Sequence, residues 1–117
     1  MLRRAHLAPM EVFSPLYEGA YYLEPYEAAW AREAIAYVYI DEVNDNAELD
    51  LRAQISVDGQ RWIDFGPKFD TITEPGGYFL QLTHFGTWLR LAGEIRNGPK
   101  SDTQPAMVAN FYWDLKE

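Results

Sequence analysis

Residues Glu48 to Phe65 read ELDLRAQISVDGQRWIDF, and this stretch decides the fold. Leu49, Leu51, Ala53, Ile55 and Val57 alternate with Asp50, Arg52, Gln54 and Ser56. That period of two gives a strand one apolar face. Asp58-Gly59 then breaks the pattern, and glycine accepts the positive φ of a tight hairpin turn without steric cost. The chain returns from Trp62 to Phe65, with Trp62 and Asp64 expected on opposite faces, and Gly66-Pro67 ends the strand. A two-stranded hairpin is marginal alone, so the flanking sequence must supply partners.

Downstream, Phe69 to Thr73 reads as a short strand closed by the turn residues Glu74-Pro75-Gly76-Gly77. Tyr78 to His84 alternates again, and Thr87 to Arg96 follows. In the latter, Leu89, Leu91, Gly93 and Ile95 are expected inward and Trp88, Arg90, Glu94 and Arg96 outward. Asn97-Gly98-Pro99 opens a polar loop to Pro105, and the last strand, Met107 to Lys116, puts Met107, Ala109, Phe111, Trp113 and Leu115 on one face. Val108 and Tyr112 on its other face point to partial cover there too.

Upstream, Glu33 to Glu42 is expected as a strand in which Ala34, Ala36, Val38 and Ile40 alternate with Ile35, Tyr37, Tyr39 and Asp41. The preceding Glu27 to Arg32 is rich in helix formers, so a helical or irregular turn stays open there. Asn44-Asp45-Asn46 suits a left-handed turn. Glu11–Phe13 and Ala20–Leu23 are short extended candidates, which Pro15 and Pro25 place at an edge or in a loop. Residues 1–9 are expected as an N-terminal arm and 10–117 as one domain. The pattern of seven or eight short strands with regular turn signals predicts an all-β fold: an antiparallel two-sheet β-sandwich of jelly-roll or Greek-key type.

Composition narrows the function. The net charge of −8 leaves no basic stripe for nucleic acid and opposes an anionic membrane surface. With no cysteine, disulfides, thiolate zinc sites and cysteine nucleophiles are excluded. No secretory signal or membrane span is legible, so the expected location is the cytoplasm or a virion. His6 and His84 are the only imidazoles, and neither has a recognisable triad partner. Asp41, Asn44, Asp45, Asn46, Glu48 and Asp50 resemble a calcium ligand set in composition but lack the ordered loop with its central glycine, so a solvated turn is the reading and no metal or cofactor is expected. Aromatics, by contrast, make up 15% of the chain, which suits both a small core and a recognition surface.

Ser56-Val57-Asp58-Gly59-Gln60-Arg61-Trp62 resembles the S-x-D-G-x-x-W hairpin of two groups of sandwich: discoidin-like, galactose-binding-type domains, and small phage and prophage virion proteins of about this size. In the latter an L-D-L-x-x-x-I-S strand precedes the motif, as Leu49-Asp50-Leu51 through Ser56 does here. Phe69 with Thr71-Ile72-Thr73, then Gly76-Gly77, then Trp88-Leu89-Arg90-Leu91 continue the likeness, which covers Ala34 to Lys116. It implies a sandwich and a virion surface or head-decoration role.

The expected function is therefore a non-enzymatic structural or accessory subunit docking on a larger protein assembly, as a homo-oligomer or with other proteins. Tyr21, Tyr22, Tyr26, Trp30, Trp88, Arg90 and Tyr112 are the interface or ligand candidates. The alternative is a carbohydrate-binding module whose exposed aromatics stack on a glycan, with Arg90 or Asp64 supplying hydrogen bonds.

Overall fold

The computed structural model describes residues 5–100 and 103–117, with side chains from Ser14 onward. It contains strands β1 (Ala5–Leu16), β2 (Gly19–Tyr22), β3 (Tyr26–Glu27), β4 (Glu33–Val43), β5 (Glu48–Ser56), β6 (Ile63–Lys68), β7 (Gly76–Thr83), β8 (Trp88–Arg96) and β9 (Met107–Lys116). One sheet has the order β1-β9-β4-β7; the other, five-stranded, has β2-β8-β5-β6, with β3 also pairing to β8. All the strand pairings are antiparallel, and the two sheets form the expected sandwich.

The core lies between the sheets. Met107, Ala109, Phe111, Trp113 and Leu115 line the inner face of β9 with no exposure. Ala34, Ala36, Val38 and Ile40 stand beside them on β4, and Leu49, Leu51, Ala53, Leu89, Leu91 and Ile95 close the layer from the five-stranded sheet. Register explains the alanines. Ala36 pairs with Trp113 and Ala34 with Leu115, so small residues sit where the neighbouring strand is largest. Gly93 plays the same part opposite: a Cβ there would lie 2.9 Å from the Tyr21 ring and 3.0 Å from Leu51.

This accounts for Glu27–Arg32. Ala28 and Ala31 there answer to packing against the core rather than to propensity, and Ala29 is exposed. Ala28 is fully buried and donates its N–H to Thr87 O at 2.8 Å, Ala31 N–H closes one turn on Ala28 O, and Arg32 N–H reaches Lys116 O. The segment is a strap carrying the chain from one sheet to the other, and no helix occurs among the described residues.

Other expectations need correcting. Phe69–Thr73 is not a strand. Only Ile72 bridges to Leu49, and the buried Phe69 and Ile72 instead staple a loop over the end of the core. Ala5–Pro9 belongs to β1, whose backbone pairs with β9 from Ala5↔Lys116 onward, while residues 1–4 of the expected arm lie outside the described residues. Pro9 and Pro15 are accommodated because β1 is an edge strand, as is expected of a residue that cannot donate to a ladder. Val57 is 82% exposed, since it lies past the end of β5 in the hairpin.

Candidate functional site

The hairpin turn is held by its own side chains. Ser56 Oγ accepts the N–H groups of Asp58 (3.3 Å) and Gly59 (2.8 Å) and donates to Asp58 Oδ1 (3.0 Å). Asp58 Oδ1 accepts the N–H of Gln60 (2.9 Å) and Arg61 (3.0 Å), and its Oδ2 pairs with Arg61 Nε. The backbone N–H of Arg61 and of Gln60, then the Ser56 hydroxyl, hold the Asp58 carboxyl well below the usual carboxylate range. Gly59 has φ 76°, and a Cβ there would meet Trp88 Nε1 at 3.4 Å, so the turn folds down against the indole.

This turn delivers Trp62 to the outer face of the five-stranded sheet. Trp62 and Asp64 share that face, contrary to expectation, because residues two apart in a strand point the same way. Arg90 is bracketed there by two rings, Trp62 at 4.2 Å from the β5–β6 side and Tyr22 at 4.4 Å from β2. Its Nε donates to Gln54 Oε1 at 2.9 Å, Gln54 Nε2 donates to Asp64 Oδ1 at 2.9 Å, and Arg52 Nε donates to the same oxygen at 2.8 Å. The register makes the row, since Arg90 pairs with Gln54 and Gln54 with Asp64. Gln54 is buried, and its carboxamide joins the two ends of the row. Bonds from Gln54 and Arg52 keep the Asp64 carboxyl below its ordinary range; desolvation lowers the Arg90 value.

The other outer face is of a different kind. Phe79, Tyr37 and Tyr112 stand in one cross-strand row over β7, β4 and β9, with Tyr39 beside them. Phe79 is 63% exposed and Tyr39 47%, and the Tyr39 and Tyr112 rings meet edge to face at 6.1 Å.

The expected site residues fall into separate places. Tyr22 and Arg90 come together on the five-stranded sheet. Tyr112 belongs to the opposite face. Tyr21, Tyr26 and Trp30 are half-buried against the core, Tyr21 with its ring 6.5 Å from Phe111. Trp88 is half-buried under the hairpin tip. Sequence reading passed over Trp62 and Gln54 as partners of Arg90, and Tyr37, Tyr39 and Phe79 as surface residues. The outward alternation of Tyr37 and Tyr39 against Ala36 and Val38 was the available signal. Phe79 sits within the run Tyr78-Phe79-Leu80, which hides its direction.

His84 ends β7 with φ 60°, and its Nδ1 lies 3.1 Å from the hydroxyl of the adjacent Thr83. It lines an open hollow of about 550 Å³ with Arg32, Glu33 and Glu117, and its contact with Thr83 is that of chain neighbours in a turn. In the acidic loop Asp45 takes the left-handed conformation, Asn44 Nδ2 bonds Glu42 and Pro105 O, and Asp50 pairs with Arg96 and Thr71. Among the described residues no group of three or more histidine or carboxylate side chains could hold a metal ion. Nor is any helix there long and apolar enough to cross a membrane.

No protein-family model matches the chain, and no curated protein does either. Its fold is found among solved structures. A chain of the infectious bursal disease virus Gx strain structure superposes with a TM-score of 0.60 at 12% identity, over 97% of this chain and 32% of that one. The protein thus spans about a third of that viral chain's length, and the likeness is one of fold. A chain of dimeric latent PorU from Porphyromonas gingivalis aligns with a TM-score of 0.40 at 13% identity, over 97% of this chain and 12% of that one.

Proposed function

We propose that the protein is a non-enzymatic structural subunit that docks in a larger protein assembly through the outer face of its four-stranded sheet. The observation that carries this is the Phe79–Tyr37–Tyr112 row with Tyr39. A contiguous aromatic row in which Phe79 and Tyr39 are exposed is what interface cores are made of. A virion surface or head-decoration role is the specific form of the proposal. The hairpin motif and the fold shared with a viral chain support it. Light scattering over a range of concentrations tests it. A discrete oligomer that Phe79→Ser converts to monomer is the expected result; a monomer at every concentration would overturn self-assembly through this face.

The Arg90 cluster favours a second reading, a carbohydrate-binding module. Tyr22 and Trp62 place aromatic surface beside hydrogen-bonding groups on one sheet face, and Tyr22 is 57% exposed. A glycan array distinguishes the two, since docking through the four-stranded sheet predicts no sugar binding.

A further inference from the structure

We propose that the outer face of the five-stranded sheet holds a carboxylate, specifically that of an acidic sugar, gripped edge-on by the guanidinium of Arg90. The inference rests on the carbohydrate reading of that face and names the sugar class.

The geometry leaves Arg90 one way to bind. Tyr22 and Trp62 bracket the guanidinium, and Nε is committed to Gln54. What remains is the in-plane edge carrying the terminal amino groups, a rigid fork matched to a planar carboxylate. The fork is also pre-aimed, because the two rings and Gln54 hold the side chain before any ligand arrives.

Charge points the same way. Among the described residues no carboxylate pairs with Arg90. Asp64 is the carboxylate of the cluster, and its Oδ1 is taken by Arg52 and Gln54. Arg52 and Lys68 are paired in register beside it and Arg90 joins it through Gln54, while Asp50, the next carboxylate along β5, is paired with Arg96. Arg52 acts on Arg90 as a like charge, which an incoming anion would offset. A sugar acid suits the site better than a bare anion, since the exposed Tyr22 ring supplies a platform beside the fork.

The test is titration of the full chain, followed by NMR through the Arg90 Nε–H and Trp62 indole signals, with a galacturonate trisaccharide at low salt. A neutral galactose trisaccharide, acetate and polyglutamate are the comparison probes. The uronate is expected to shift both signals and to weaken with added salt. Arg90→Lys, which keeps the charge and loses the fork, should bind at least about tenfold more weakly. Arg32→Lys, in the strap between the sheets, should bind as the parent does. Equal binding of the neutral sugar, or unchanged binding by Arg90→Lys, would overturn the inference while leaving the carbohydrate reading standing. Binding of neither sugar would remove both. Equal binding of acetate or polyglutamate would overturn the assignment to a sugar acid.

Discussion

The two outward faces of this sandwich use the same aromatic vocabulary to opposite ends. On the five-stranded sheet, Tyr22 and Trp62 are spent on Arg90, and Gln54 ties that arginine to Asp64 and Arg52. Gln54, Asp64 and Arg52 bond one another there, and the rings serve as walls. On the four-stranded sheet, Phe79, Tyr37, Tyr39 and Tyr112 face outward as apolar area beside the Asn110–Asp41 bond. A face of the first kind recognises chemistry, because its donors have fixed directions. A face of the second kind recognises shape, because covering it requires little polar rearrangement.

The largest expected effect comes from the layer on which both faces stand. Trp113 is fully buried and pairs in register with Ala36, so Trp113→Ala should cost about 3–5 kcal/mol in urea denaturation. Both faces should be lost in one transition. Trp113→Phe should cost clearly less, since the indole N–H has no hydrogen-bond partner among the described residues. Separate transitions for the two sheets would show that the faces are not built on a common core. Next comes Gln54→Ala, which leaves Arg90 Nε without its acceptor and removes a donor from Asp64. A cost of about 1–3 kcal/mol is expected. Amide exchange should rise on β5, β6 and β8 and leave β4, β7 and β9 unchanged.

How much of this could be read from the chain follows the same division. The sandwich was legible because strand period, Asp58-Gly59 and Asn44-Asp45-Asn46 are local signals: Asp45 and Gly59 do take positive φ. The inward sets of β8 and β9 were legible for the same reason. Glu27–Arg32 was not, because its course is set by Ala28 N–H on Thr87 O and Arg32 N–H on Lys116 O, and no local window contains those distant partners. The Arg90 cluster was half legible. Arg90 and Tyr22 stood out as outward residues, but their meeting with Trp62 and Gln54 depends on strand order β2-β8-β5-β6. Periodicity cannot supply strand order.

A smaller, pH-dependent effect separates the hairpin from the rest of its face. The Asp58 carboxyl is held below its ordinary range by turn N–H groups, so its charged form favours the fold. That contribution is fully present above the unfolded value, about 4, and is lost as pH falls from there toward the lower folded one. Asp58→Asn should therefore melt below the parent at pH 7, with the gap closing as the pH is taken below about 4. A gap independent of pH would mean that the turn amides gain nothing from the charge.

The smallest effect on stability is the one that decides what the aromatic face is for. Phe79 is 63% exposed, so Phe79→Ser removes little buried area and should alter unfolding free energy by no more than about 0.5 kcal/mol. The same substitution should abolish association, because the most exposed ring of the row loses its whole contact with the partner. Stability and association must therefore come apart in this variant. If Phe79→Ser instead destabilises the monomer by well over 1 kcal/mol, the Phe79–Tyr37–Tyr112 row is packing within the fold. The contrast between the two faces would then be one of composition and not of use.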